Sequence, residues 1–166
     1  KPLEPTEVAG DVVEVPDEAR NFTDGLASAQ IHSGQRMTNE AMIKLIEIIR
    51  DHPNGVVIAG INASQSSFYA PNQFEHFAEI FGYPFIADPV SGVRHDGKNV
   101  IGGYDTFMPN SPLDKPELII RFGDVPVSKS LNQFIAASNP KHYIHFSESG
   151  DWSDDSHSIT QLAMPV

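Results

Sequence analysis

The chain predicts an α/β fold: a doubly wound, mostly parallel sheet with helices on both faces. Two observations predict it. The short apolar runs Val56-Val-Ile-Ala59 and Leu118-Ile-Ile-Arg-Phe122 are rich in β-branched residues, the pattern of strands buried on both faces. They alternate with amphipathic stretches whose apolar residues recur at three and four, and a parallel sheet needs such helices as crossovers. At 166 residues the chain is one domain by length, and a domain of this size buries about 70% of the surface its unfolded chain exposes.

The elements follow in order. Residues 1–20 alternate prolines, acids and valines without a helical period, which predicts an extended arm or linker, with residues 21–166 as the folded unit. Thr38 is the expected N-cap of a first helix, with Glu40 in the first turn and Met42, Leu45, Ile46 and Ile49 along its apolar stripe. Asp51-His-Pro-Asn-Gly55 ends it, and Val56–Ala59, closed by Gly60, is the first central strand. Asn72 to Phe81 is amphipathic, Pro84-Phe-Ile-Ala-Asp88 is strand-like, and a long glycine-rich loop runs from Pro89 to about Asn110. The strand Leu118–Phe122, a helix from Ser128 to about Ala137, and the strands His142–Phe146 and Thr160–Met164 complete the series. Arg121 lies inside an otherwise apolar strand, so it should emerge at an edge or pair with a carboxylate, because unpaired burial is costly. Asp151-Trp-Ser-Asp-Asp155 is expected to pin the chain by burying Trp152, the only tryptophan.

Composition excludes several functions. Twenty-two acidic against eleven basic side chains give a formal charge of -11, which opposes nucleic acid and anionic membranes as partners. An anionic substrate would need locally placed cations. The absence of cysteine rules out a disulfide framework and a thiolate zinc site, and it fits a reducing cytoplasm. No apolar run reaches the ~20 residues that cross a bilayer. Lys1 stands where a cytoplasmic start would have methionine, so we expect a piece of a longer protein. The glycosylation patterns at Asn21 and Asn62 are discounted, since nothing else looks secreted.

In doubly wound sheets ligands sit beyond the carboxyl ends of the strands, where strand order reverses. Three loops qualify: Gly60–Gln65, Asp88–Arg94 and Gly123–Lys129. The third leads into a helix capped by Ser128 with Lys129 in its first turn, and unpaired amides at a helix start favour an anion. A first-turn lysine opposes the helix dipole by up to about 1 kcal/mol, so an anionic ligand would offset its placement. The competing reading is a solvated lysine beside a cap. Arg94, His95 and Lys98 cluster in the long loop, as a lid or a second anion pocket or, the preferred reading, a mobile solvated loop.

Other chemistry lacks its pattern. A dinucleotide fingerprint needs three glycines where only Gly60 stands, and there is no P-loop. The seven histidines form no ligand motif, His142 and His145 fall on opposite faces of one strand, and no metal site is expected. No G-x-S-x-G elbow is present, so Ser91, Ser128 and Ser130 read as turn and cap residues.

The run Arg121-Phe-Gly-Asp-Val-Pro-Val-Ser-Lys-Ser-Leu131, the helix and strand from Met42 to Gly60, and Asp151-Trp-Ser-Asp154 carry a resemblance. Over about residues 20 to 166 the chain resembles the middle domain of the MenD family, the thiamine-diphosphate-dependent 2-succinyl-5-enolpyruvyl-6-hydroxy-3-cyclohexene-1-carboxylate synthases of menaquinone biosynthesis. Its most specific element is G-x-x-P-x-S-K, ending at Lys129. The resemblance implies a Rossmann-like central domain of a cytoplasmic, homo-oligomeric transferase with three α/β domains. Such enzymes decarboxylate 2-oxoglutarate on the cofactor and add the product to isochorismate. Thiamine diphosphate and Mg²⁺ would be bound by the outer domains, with no cofactor on this fragment, which alone would be inactive. Lys129 matches the family lysine that reaches toward the isochorismate carboxylates. Ser130 stands where some members have arginine, and it could donate one hydrogen bond beside Ser128. Arg94 is the candidate for a regulatory pocket. Relatives in the wider thiamine family bind FAD or ADP in this domain, a use the missing fingerprint argues against. The alternative is a non-catalytic regulatory module binding a small anion or nucleotide on the same sheet. A sirtuin-like deacylase is disfavoured, since its cysteine zinc module and glycine-rich NAD loop are absent.

Overall fold

Strand β1 (Ile31–His32) pairs antiparallel with β2 (Arg36–Met37), a small ribbon that the sequence does not announce, just before the first helix. This is a computed structural model that describes residues 31–32, 36–65, 71–94, 99–110, 113–147, 150–154 and 156–163. The expected arm, His95, Lys98, Asp155 and Met164 lie outside them.

Helix α1 (Asn39–Asp51) starts as predicted: Thr38 Oγ1 accepts the Ala41 amide at 3.1 Å, and Glu40 sits in the first turn. It buries Ala41, Leu45 and Ile49, whereas Met42 and Ile46 of the expected stripe stand exposed. Residues four apart stay on one line of a helix while their neighbours turn away by about 100°. Only one edge of the apolar stripe therefore meets the sheet. Helix α2 (Pro71–Phe81) ends on Gly82, whose φ of 68° suits a left-handed C-cap. Its last turn closes through Gly82 N to Glu79 O and Tyr83 N to Ala78 O. The Tyr83 hydroxyl then donates to the His52 carbonyl at 2.6 Å, tying this end to that of α1.

Among the described residues one six-stranded parallel sheet forms the centre. It comprises β3 (Gly55–Ala59), β4 (Phe85–Ala87), β5 (Val100–Ile101), β6 (Leu118–Phe122), β7 (His142–Phe146) and β8 (Gln161–Ala163), in the order β5-β4-β3-β6-β7-β8. Alternate residues face opposite layers. Val57, Phe85, Ile120 and Phe122 pack with Leu45 and Ile49 of α1 and Phe74 and Ala78 of α2. Val56, Ile58, Ile86 and Ile119 pack instead with Leu131 and Ile135 of α3 (Lys129–Ser138) and with Tyr104 and Met108. The doubly wound class is thereby realised, and His142 and His145 do take opposite faces of β7.

Three expectations are corrected. The stretch from Pro89 to Asn110 is not one open loop: it holds β5 and 3-10 turns at Tyr104–Thr106 and Met108–Asn110. A two-residue strand shows no legible alternation, and Tyr104 and Met108 are buried only because the second core layer covers them. Trp152 is 41% exposed, so it does not pin its segment. Polar bonds do so instead: the Asp154 carboxylate accepts the Ile159 amide at 2.7 Å and the Ser156 hydroxyl at 2.8 Å. Arg121 does not emerge, and among the described residues it pairs with no carboxylate. It is 1% exposed, and its Nη1 donates to the Tyr143 hydroxyl at 2.9 Å while Nη2 donates to the Ser153 carbonyl. Its guanidinium carbon lies 5.4 Å from the Tyr143 ring centroid, so neutral oxygens and a π face share the charge.

Candidate functional site

Strand order reverses between β3 and β6, and the loops leaving these strands meet there. Asp124 N donates to Ile61 O at 2.9 Å, forming an isolated bridge between them. Gly123 has φ 75°, and a Cβ on it would collide with the Ile61 carbonyl. A Cβ on Gly60 would likewise strike the Asp124 carbonyl. Backbone thus occupies the space that a glycine-lined phosphate cradle would leave open. The loop after β4 joins through Ser64 N to Ser91 O at 2.9 Å and Asn62 N to Val90 O at 3.3 Å.

Asp88, fully buried at the end of β4, fastens this assembly to the start of α3. Its Oδ2 accepts Val127 N at 3.0 Å, Ser128 N at 3.3 Å and the Tyr104 hydroxyl at 3.3 Å, while Oδ1 accepts Val90 N at 3.1 Å. Burial first, and then the Asp88 charge, push the Tyr104 phenol far above its ordinary range. Sequence reasoning placed Asp88 in a ligand loop without seeing this role. The available signal was an acid directly after an apolar strand.

At the head of α3, Ser128 caps as expected, its Oγ accepting Leu131 N at 3.2 Å. The same hydroxyl donates to Asp105 Oδ1 at 2.5 Å, and Ser130 Oγ donates to that oxygen at 2.5 Å. The Ser128 and Ser130 hydrogen bonds, followed by the positive charge of Arg94, hold the Asp105 carboxyl below its ordinary range. Three predicted residues, Ser128, Ser130 and Arg94, are therefore gathered around a carboxylate of the chain itself. Asp105 was missed, because nothing local marks a residue 23 positions upstream of the cap. The Arg94 guanidinium lies against Gly102, where a Cβ would meet its Nε. Lys129 is exposed beside them and makes no ion pair among the described residues. Ser130 also borders a groove of about 380 Å³ lined by Met108, Leu113, Lys115, Gln133 and Phe134.

Beneath the β6–α3 loop, His145 of β7 is fully buried with Nε2 2.9 Å from the Gly123 carbonyl. Burial and then the charge of Arg121 push its pKa down to about 3. Among the described residues no three His, Asp or Glu side chains gather to hold a metal ion.

A family model described as "Middle domain of thiamine pyrophosphate" matches residues 27–164. Among curated proteins, the chain is 36% identical over 164 residues to a 2-succinyl-5-enolpyruvyl-6-hydroxy-3-cyclohexene-1-carboxylate synthase of Roseiflexus sp. (strain RS-1), covering 97% of this chain and 28% of that protein. It is 35% identical to the synthase of the same name from Roseiflexus castenholzii, over 98% of this chain and 28% of the relative. The synthase of that name from Haloquadratum walsbyi is 30% identical, over 99% and 27%. The chain thus spans little more than a quarter of the length of these relatives.

Proposed function

The chain belongs to the family of thiamine pyrophosphate middle domains, and on that premise we propose that it is the central domain of a menaquinone-biosynthesis synthase. The enzyme would decarboxylate 2-oxoglutarate on thiamine diphosphate and add the product to isochorismate. The observation that carries this reading is the match along nearly the whole chain to synthases of one name. Thiamine diphosphate and Mg²⁺ are expected outside this domain. At the switch point backbone stands where a Cβ on Gly60 or Gly123 would lie, which argues against a diphosphate cradle in this domain. Cofactor and ion would be bound by other domains of a cytoplasmic homo-oligomer, and the 166-residue fragment alone would be inactive.

This domain then contributes scaffold and one substrate cation. Lys129 stands at the first position of α3, beyond the carboxyl end of β6, with its ammonium exposed. It would meet an isochorismate carboxylate once flanking domains exclude water and strengthen the attraction. Ser128 and Ser130 act one step back, since their hydroxyls hold Asp105 and so fix the loop that carries Lys129. Arg94, beside Asp105, is the candidate for a regulatory pocket. The stitched loops at the switch point support this reading over a nucleotide-binding module.

Lys129→Ala in the full-length enzyme tests it. Loss of a charge-assisted bond of about 1.5–3 kcal/mol predicts that KM for isochorismate rises roughly ten-fold or more, with 2-oxoglutarate decarboxylation largely intact. Unchanged isochorismate kinetics would refute the role of Lys129.

A further inference from the structure

We propose that His145 is a positioning residue, which holds the loop from Gly123 to Lys129 in place for substrate by donating its Nε2–H to the Gly123 carbonyl. The inference rests on the reading that Lys129 meets an anionic substrate. A carbonyl only accepts hydrogen bonds, so the 2.9 Å contact fixes the proton on Nε2 and leaves Nδ1 as a bare acceptor. That Nδ1 is buried and has no hydrogen-bond partner among the described residues. An imidazole here thus accepts an unmet desolvation cost at one nitrogen to make a single bond at the other. An apolar side chain would pack without that cost but could not hold the carbonyl.

The bond falls where the loop's course is set. Gly123 is in the left-handed region, and the next amide, Asp124 N, bonds to Ile61 O across the switch point. Fixing the Gly123 carbonyl therefore orients the peptide plane that makes this bridge. Asp88 grips the loop further on, at Val127 N and Ser128 N, so the stretch before Lys129 is held at both ends. Among the described residues the charges facing the ring are Arg121 from β6, its register partner, and Asp154 from the segment before β8. Arg121 is itself fixed by the Tyr143 hydroxyl and the Ser153 carbonyl, and its charge opposes a proton on Nδ1. The ring stays neutral at neutral pH and the donor remains on Nε2.

The test uses the full-length synthase carrying His145→Leu or His145→Gln, with Lys129→Ala in parallel. Isochorismate KM, kcat and hydrogen exchange of the peptide spanning 123–128 are measured in each. We expect His145→Leu to raise KM roughly three- to ten-fold, to leave kcat nearly unchanged and to speed exchange of the loop. His145→Gln, whose amide can reach the same carbonyl, should restore both. Wild-type KM and exchange in His145→Leu, or a glutamine variant no better than leucine, overturns the proposal. If Lys129→Ala has no effect while loop exchange follows His145 as described, the positioning is upheld and the substrate reading is what fails. Should the leucine variant not fold, His145→Asn, too short to reach Gly123, takes its place with the same expectations.

Discussion

Mild acid should destabilise this chain through one buried imidazole, and the size of the effect follows from His145. The folded ring takes up a proton only near pH 3, against an ordinary value of 6.5, because burial and then Arg121 oppose its charge. The unfolded chain binds that proton below about 6.5, so between the two values it holds more protons than the folded chain. Stability therefore falls as pH falls through this window. Each unit is worth about 1.4 kcal/mol, so acidifying from pH 6.5 to 4.5 should remove about 2–3 kcal/mol through this group. Asp105 and Asp154, both held below the ordinary carboxylate range, lose stability in the same direction as pH falls through their folded values. The comparison that isolates His145 is His145→Gln, which keeps a donor for Gly123 and cannot titrate. Urea unfolding from pH 7 to 4.5, followed by circular dichroism, should give a steep decline in the parent and a shallower one in the variant. Parallel declines would show that the buried imidazole does not govern acid lability and would refute the reasoning.

Two further perturbations probe the polar supports. Asp88→Ala strands the Val90, Val127 and Ser128 amides and the Tyr104 hydroxyl. With about 1–3 kcal/mol for each buried unsatisfied group and partial rescue by water, the expected loss is about 3–5 kcal/mol by chemical denaturation, and a loss below about 1 would contradict the role assigned to Asp88. Tyr143→Phe keeps the ring under Arg121 but removes the oxygen that Nη1 meets. A cost of about 1.5–3 kcal/mol is expected, and an unchanged unfolding midpoint would mean that the hydroxyl contributes nothing to the buried charge.

By itself the sequence determined what is encoded over short distances. The alternation of Val56–Ala59 and Leu118–Phe122 with amphipathic segments gave the parallel class, and Thr38 and Ser128 marked helix starts that carry the expected cap bonds. The placement of Lys129 beyond a strand end followed from the same local pattern. Each is legible because propensity, periodicity and capping act within about one helical turn or a few strand residues. Tertiary structure alone decided which polar groups meet. Asp88 reaches Ser128 across 40 positions and Asp105 reaches it across 23, while Arg121 finds the Tyr143 hydroxyl and the Ser153 carbonyl. The same holds for the two-residue β5 and the exposed Trp152. A buried polar side chain must satisfy its hydrogen bonds with whatever the packed layers bring beside it, and that neighbourhood exists only after strands far apart in the chain have taken their places in the sheet.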